Sequence, residues 1–244
     1  TSGALVGSRF YIGISGSRDG GPIVFDGTNY FIAWEVRSDP NSSDTADIYG
    51  QFISPSGALL GSAIPVSTAS HGQRNPAISF DGAKILVAWV DGRNQSACYT
   101  DNTGTHCFES DVYGQLITKS TAGAAGTLSG GNFLINASLL PRDNYISAAF
   151  DGTNYFVGFP EETTLPNACP IGGCKWDLYG QFITTAGVPT GSKITISNTA
   201  PNHFGGGPVW NGTRYLGSWV ENFGSPATSV KGRYFDTSGA PIGS

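Results

Sequence analysis

The sequence predicts an all-β chain folded as a four-bladed β-propeller of four-stranded antiparallel blades, and three observations carry that prediction. The composition favours strands and turns over helices, with 35 Gly, 14 Phe, 10 Tyr and no Met in 244 residues. One set of three short elements recurs four times in the same order. Apolar residues fill both parities of the recurring strand: Tyr30, Ile32 and Trp34 point one way, Phe31 and Ala33 the other. Such a sheet needs a neighbour packed on each face.

The first element is an Asp-Gly turn leading into an aromatic strand. It runs from Phe25-Asp26-Gly27 to Trp34-Glu35, from Phe80-Asp81-Gly82 to Trp89-Val90-Asp91, from Phe150-Asp151-Gly152 to Phe159-Pro160-Glu161, and from Trp210-Asn211-Gly212 to Trp219-Val220-Glu221. Turn chemistry of this kind joins two antiparallel strands, A before it and B after it. The second element gives strand C: Asp47-Ile48-Tyr49-Gly50-Gln51, Asp111-Val112-Tyr113-Gly114-Gln115, Asp177-Leu178-Tyr179-Gly180-Gln181 and a degenerate Ser229-Val230-Lys231-Gly232-Arg233. The third is a Ser/Ala-Gly turn into strand D, beginning at Ser56-Gly57, Ala122-Gly123, Ala186-Gly187 and Ser238-Gly239. No 3.6-residue period supports a helical solenoid, and the coils of a parallel β-helix would be shorter than these units.

The opening residues, Thr1 to Ser15, read as the third turn and a strand D with no A, B or C before them, while the last unit stops at that turn. Residues 1–15 are therefore expected to supply strand D of blade 4 and close the ring, burying an open edge. Blades 1 to 4 then span 16–67, 68–138, 139–197 and 198–244 of a single domain. The same arithmetic lets the strand complete a neighbouring molecule instead.

These motifs (Asp-Gly-Thr-Asn-Tyr to Trp, Asp-Ile-Tyr-Gly-Gln, Ser-Gly-Ala-Leu-x-Gly) resemble the repeats of large secreted or surface β-propeller proteins of bacteria. The resemblance covers nearly the whole chain and implies an extracellular setting. It carries over no catalytic or ligand residues. The third unit departs from it with Phe159 for Trp, and the fourth with Lys231-Gly232-Arg233 for Tyr-Gly-Gln.

With 13 Lys+Arg against 18 Asp+Glu and a formal charge of -5, the chain is neither a disordered acidic tail nor a polybasic binder, so no nucleic-acid partner is expected. The longest apolar runs span five or six residues, far short of the roughly 20 of a membrane helix, so no membrane insertion is expected. No basic-plus-apolar leader opens the chain, and an export signal is expected to have been removed or to lie outside it.

Propeller topology puts the A–B and C–D turns on one face and the B–C and D–A loops on the other. The B–C loops vary most, at Val36–Ala46, Gly92–Ser110, Glu162–Trp176 and Asn222–Thr228, which makes theirs the candidate functional face. All four cysteines fall there. Cys98 with Cys107 and Cys169 with Cys174 read as local structural disulfides of an extracytoplasmic protein, secreted or at the cell surface. Their spacings match no usual zinc site, so no metal and no cofactor is expected. Arg18, Arg74, Arg142 and His203 precede strand A and should ring the channel mouth, there to bind an anion or acidic sugar. The competing reading pairs these arginines with Glu35, Asp91, Glu161 and Glu221 at the ends of strand B. Tyr99, Phe108 and Trp176 are candidate exposed aromatics for a sugar or protein partner.

Enzyme signatures are wanting: no Gly-x-Ser-x-Gly, no His-Glu-x-x-His and no phosphate-binding glycine loop. The strand B carboxylates could serve glycoside hydrolysis, but an equivalent acid in every blade favours a structural role. The expected function is a non-enzymatic extracellular module that binds a glycan or protein. The alternatives are a structural subunit that self-associates with or decorates a surface polymer by strand exchange, and a carbohydrate-active enzyme.

Overall fold

The computed structural model describes residues 7–18, 21–40, 42–94, 98–101, 104–107, 111–137, 146–162, 176–198, 203–204, 207–221 and 228–243. Blade 1 comprises β1 (Ser17–Arg18), β2 (Ile23–Phe25), β3 (Tyr30–Arg37), β4 (Ala46–Ile53) and β5 (Leu59–Ser67), where β1 and β2 are two halves of strand A and both pair β3. Blade 2 comprises β6 (Gln73–Phe80), β7 (Lys84–Asp91), β10 (Asp111–Thr118) and β11 (Leu128–Asn136), with the hairpin β8 (Cys98–Asp101) and β9 (Gly104–Cys107) in its B–C loop. Blade 3 comprises β12 (Ser147–Phe150), β13 (Asn154–Glu162), β14 (Trp176–Thr184) and β15 (Pro189–Ser197). Blade 4 comprises β16 (His203–Phe204) and β17 (Val209–Trp210), both on β18 (Tyr215–Glu221), then β19 (Ser229–Phe235) and β20 (Pro241–Ile242). Four antiparallel sheets with A–B–C–D order make a four-bladed β-propeller. Among the described residues no helix is long and apolar enough to cross a membrane.

Each repeated motif has a local cause. In the Asp-Gly turns one carboxylate oxygen accepts from two backbone N–H groups, Thr28 and Asn29 on Asp26 at 2.8 and 2.7 Å, Ala83 and Lys84 on Asp81 at 2.7 and 2.6 Å. The following Gly takes a positive φ of 91° to 98° at Gly27, Gly82, Gly152 and Gly212, a conformation other residues rarely adopt. The Gly of Tyr-Gly-Gln serves packing instead: a Cβ on Gly50 or Gly180 would lie 2.3 or 2.0 Å from Cζ of Phe31 or Phe156. The Gln beside it caps the register shift between strands C and D. Its amide donates to three carbonyls, at Phe52, Leu60 and Gly61 from Gln51, with the same pattern from Gln115 and Gln181.

The blades stack by one rule. On strand B the residues five, seven and nine places after the turn Asp face the next blade, and those four, six and eight places after it face the previous one. Phe31 and Ala33 pack on Ile85, Val87 and Trp89; Leu86, Ala88 and Val90 pack on Tyr155, Val157 and Phe159; Phe156 packs on Tyr215 and Trp219. Polar links reinforce the seams on the turn face. Ser120 of blade 2 donates its N–H and hydroxyl to Asp26 of blade 1 at 2.6 and 2.5 Å, and Tyr155 donates to the Lys84 carbonyl at 2.9 Å.

Residues 1–15 were expected to close the ring, and the described part of that segment lies as follows. The fourth strand of blade 4 is β20, and residues 7–16 form no strand. They lie on blade 1, where Ile12 joins the cluster of Ile32, Trp34, Val36 and Ile53, and where the Ser17 hydroxyl accepts from Trp34 Nε1 at 3.0 Å. Residues 1–6 lie outside the described residues. No apolar cluster among the described residues joins blade 4 to blade 1.

Candidate functional site

The upper ends of strands B and C, where the B–C loops depart, concentrate the charged chemistry. Strand pairing sets it up: the strand B aromatic faces the motif position of Tyr-Gly-Gln, as Trp34 with Tyr49, Trp89 with Tyr113, Phe159 with Tyr179 and Trp219 with Lys231. Two residues further up, on the same face, the opposed positions are Val36 and Asp47, Asp91 and Asp111, Glu161 and Asp177, and Glu221 and Ser229. Blades 2 and 3 therefore hold carboxylates directly across from each other, an arrangement that like charges disfavour unless something compensates.

Blade 2 compensates fully. Asp91 has no exposed surface and accepts from Trp89 Nε1 at 2.6 Å, from the Arg93 N–H at 2.9 Å, and from Arg93 Nε and Nη2 at 2.8 and 2.7 Å. That fork holds Arg93 over the Tyr113 ring and aims Nη2 at Ser67 of blade 1 and Asn132 of strand D, each at 3.1 Å. Asp111 accepts from Asn94 at 2.7 Å. The group is a buried clamp across the seam of blades 1 and 2.

Blade 3 keeps one member of its pair accessible. The Glu161 side chain is 17% exposed and is ion-paired with Lys193, whose ammonium lies over the Tyr179 ring at 4.4 Å. Asp177 is buried and accepts from the Tyr179 hydroxyl at 3.4 Å. Burial first, then the charges of Asp177 and Glu161, pushes the Tyr179 phenol above its ordinary value, so it remains a neutral donor.

Blade 1 divides its acids between two faces. Glu35 lies across from Ile48 and accepts from Arg37 Nε at 2.5 Å, while burial raises the pKa of Asp47 on the opposite face. Beside this ion pair a cleft of about 440 Å³ is lined by Ser15, Gly16, Ser17, Arg37, Ser38 and Pro40. It is a hydroxyl-rich recess with one guanidinium. In blade 4 Glu221 meets Lys231 at 3.9 Å and faces a serine.

The residues expected to form a site fall on several elements. Arg18 and His203 stand in β1 and β16, in register with Glu35 and Glu221, and Arg74 stands in β6 in register with Val90. Arg142 lies outside the described residues. The strand B acids are ion-paired as the competing reading held, but Arg37, Arg93, Lys193 and Lys231 are the cations seen on them. These follow the acid on strand B or stand on strands C and D. Trp176, expected in an exposed loop, is the first residue of β14 and only 5% exposed, packed by its place opposite Glu162. Tyr99 lies on β8, and Phe108, Cys169 and Cys174 lie outside the described residues. Cys98 and Cys107 are partners in the register of β8 and β9. Opposed residues of that kind stand about 4.5–5.5 Å apart between Cα atoms, within the range of a disulfide.

Missing from the expected site were Asp111, Asp177, Arg93, Lys193 and Tyr179. The first two open the strand C motif, and counting two residues up from the aromatic–Tyr pair would have found them. Among the described residues no cluster of three or more His, Cys, Asp or Glu side chains is placed to hold a metal ion.

No protein-family model matches the chain, and no curated protein matches it. Several solved structures resemble it, two of them as follows. An alpha-L-arabinofuranosidase from Lactobacillus brevis is 10% identical over 90% of this chain and 73% of its own, with a TM-score of 0.48. A GH43 endo-arabinanase from Bacillus licheniformis is 11% identical over 90% of this chain and 74% of its own, with a TM-score of 0.42. At these identities and scores the likeness assigns no residue, substrate or activity to this chain.

The expectation of a non-enzymatic binding module is nevertheless corrected. The ground on which the carboxylates were set aside, an equivalent acid in every blade, fails. Glu35 stands nine places after its turn Asp and the others ten, and blades 2 and 3 alone carry a second carboxylate directly opposite on the same face.

Proposed function

We propose that the chain is a carbohydrate-active enzyme that cleaves a glycosidic bond at the upper rim of blade 3, with Glu161 and Asp177 as its carboxylate pair. The observation that carries this reading is their direct opposition on one face, with one member reaching solvent and a phenol and an ammonium beside them. Opposed residues hold their Cβ atoms about 4.5–5.5 Å apart. Side chains rooted so close can flank one bond, as the carboxyl pair of a retaining glycosidase does. Glu161, accessible and held by Lys193, attacks the anomeric carbon and forms a glycosyl ester as the bond to the leaving oxygen breaks. Asp177 gives that oxygen its proton and then takes one from the water that hydrolyses the ester. Tyr179 orients Asp177.

The hydroxyl-rich cleft of blade 1 opens on the same loop face and suits a polyhydroxylated substrate. The repeat type and the facing pair Cys98 and Cys107 favour an extracytoplasmic setting, secreted or at the cell surface.

The test is sugar release from a panel of plant and microbial polysaccharides and aryl glycosides. Wild-type protein is expected to release reducing sugar, and Glu161→Gln and Asp177→Asn each to lower kcat by about 10²–10⁴-fold, the range of a lost acid–base group. No release from any member, or release unchanged in both variants, would overturn the reading.

A further inference from the structure

Blades 1, 2 and 3 end strand D alike. Ser67, Asn136 and Ser197 are the last residues of β5, β11 and β15, and they face the same strand C position, at Ile48, Val112 and Leu178. A register shift precedes each of them and leaves one residue of strand D over, Val66, Ile135 or Ile196. That residue packs on the aromatic of the next blade, in the clusters of Trp89, Phe159 and Trp219. The shift also lets its successor reach the next blade, as Ser67 does in accepting from Arg93 Nη2 at 3.1 Å. Arg93 is held there by its fork on Asp91, so Ser67 stands one donor away from that carboxylate.

Asn136 has the corresponding place at the seam of blades 2 and 3. Glu161 corresponds in turn to Asp91, since both stand ten places after their turn Asp and both belong to a pair with the Asp of strand C. The repeat thus sets Asn136 beside the carboxylates of blade 3. What differs is the chemistry between them. Blade 2 fills the space with a guanidinium, whereas two places after Glu161 the sequence has Thr163. The cation of blade 3 comes instead from Lys193, at the strand D place where blade 2 has Asn132, and it is spent on Glu161 and the Tyr179 ring.

Asn136 Nδ2 has no hydrogen-bond partner and almost no accessible surface. Asn132 shows the ordinary case, its Nδ2 donating to the Val66 carbonyl at 3.1 Å and to Gln115 Oε1 at 2.8 Å. Buried donors are nearly always satisfied, so one left over needs an explanation. Packing does not supply it, because blades 1 and 3 close the same place with a serine. A donor kept beside a reactive pair is explained by an acceptor that arrives with the substrate.

We propose that Asn136 binds substrate at the blade 3 site, donating from Nδ2 to the sugar hydroxyl on the carbon next to the anomeric one. This rests on the reading of Glu161 and Asp177 as a glycosidase pair. Glu161 attacks the anomeric carbon, which brings the neighbouring 2-hydroxyl to the groups that flank Glu161. Hydrogen bonds to that hydroxyl strengthen in the transition state. A neutral amide also leaves the carboxylate free to react, as the guanidinium of blade 2 does not. The substrates are then glycosides with a free 2-hydroxyl.

The test sets an aryl glycoside cleaved by the wild-type protein against its 2-deoxy counterpart. On the parent, Asn136→Ala is expected to lower kcat/KM by about 10-fold, the worth of one hydrogen bond. On the 2-deoxy glycoside, which offers no acceptor there, wild type and variant should have equal kcat/KM. Asn136→Ser carries the residue of blades 1 and 3, its hydroxyl ends one bond short of the lost amide, and it should repeat the alanine result in a seam known to accept it. Equal falls on both glycosides, or no fall on the parent, would overturn the role of Asn136 and leave the carboxylate pair standing. Glu161→Gln separates the two claims: it should lower cleavage of both glycosides, and unchanged cleavage of both would overturn the pair and this proposal together.

Discussion

Blades 2 and 3 start from the same upper end and use it in opposite ways. Each sets an acid of strand B across from the Asp of strand C, and each lays a cation over the motif tyrosine. In blade 2 the cation is Arg93, two residues from Asp91, close enough to return and fork both carboxylate oxygens. That leaves Asp91 no surface and turns the group into a tie to blade 1 through Ser67. In blade 3 the cation is Lys193, on strand D, which meets a single oxygen of Glu161. An ammonium is a point donor where a guanidinium is a fork. The Glu161 side chain keeps 17% of its surface exposed. Chemistry that is locked in one blade is available in the next.

The largest effect that would sharpen this contrast is on stability. Arg93→Met strands a buried carboxylate and is expected to cost about 3–5 kcal/mol in urea denaturation. Lys193→Met removes a partly exposed partner and should cost no more than about 1 kcal/mol. Equal losses would break the contrast.

A smaller difference is expected one layer down. Gly180→Ala would drive a Cβ to 2.0 Å from Cζ of Phe156, a fully buried ring packed among Phe182, Tyr215 and Phe235, and should cost about 1–3 kcal/mol. Gly114→Ala meets Phe133 at 2.8 Å, and that ring is only partly buried and can turn aside. Thermal unfolding of the two variants should rank them in that order.

The smallest effects lie in pH. Burial opposes the charge on Asp26, but bonds from Asn29, Ser120 and Thr28 outweigh it and hold its carboxyl below the ordinary value of 3.8. Its contribution is present above that value and is lost as pH falls through the lower folded one, loosening the seam of blades 1 and 2. At the seam of blades 3 and 4 burial, then the Asp151 charge, raises the Tyr215 phenol above its ordinary value of 10.0. Stability tied to Tyr215 is present below that value and lost as pH rises through the folded one. Denaturation midpoints measured from acid to alkaline pH should show an acid arm that Asp26→Asn removes and an alkaline arm that Tyr215→Phe removes.

The repeat made the fold legible. Asp-Gly turns, two-sided strand B and Tyr-Gly-Gln each reported a local requirement that the structure meets at the same residues, from the positive φ of Gly27 to the carbonyls capped by Gln51. The site was less legible because it depends on register. Asp177 and Glu161 are 16 positions apart in sequence and become neighbours only once Phe159 is placed opposite Tyr179. Trp176 misled for the same reason, since pairing with Glu162 extends the strand beyond its motif and buries the ring. The closing segment was legible only in part, because sequence identifies residues 1–15 as a turn and an outer strand without saying which strand C it pairs with.

The central claim, that Glu161 performs chemistry from which Asp91 is barred, is tested most directly by trapping. The protein would be incubated with a set of 2-deoxy-2-fluoroglycosides of differing configuration, and its peptides mapped by mass spectrometry. The account predicts one glycosyl adduct, on the peptide that carries Glu161. An adduct on any other carboxylate, or none with any member of the set, would contradict it.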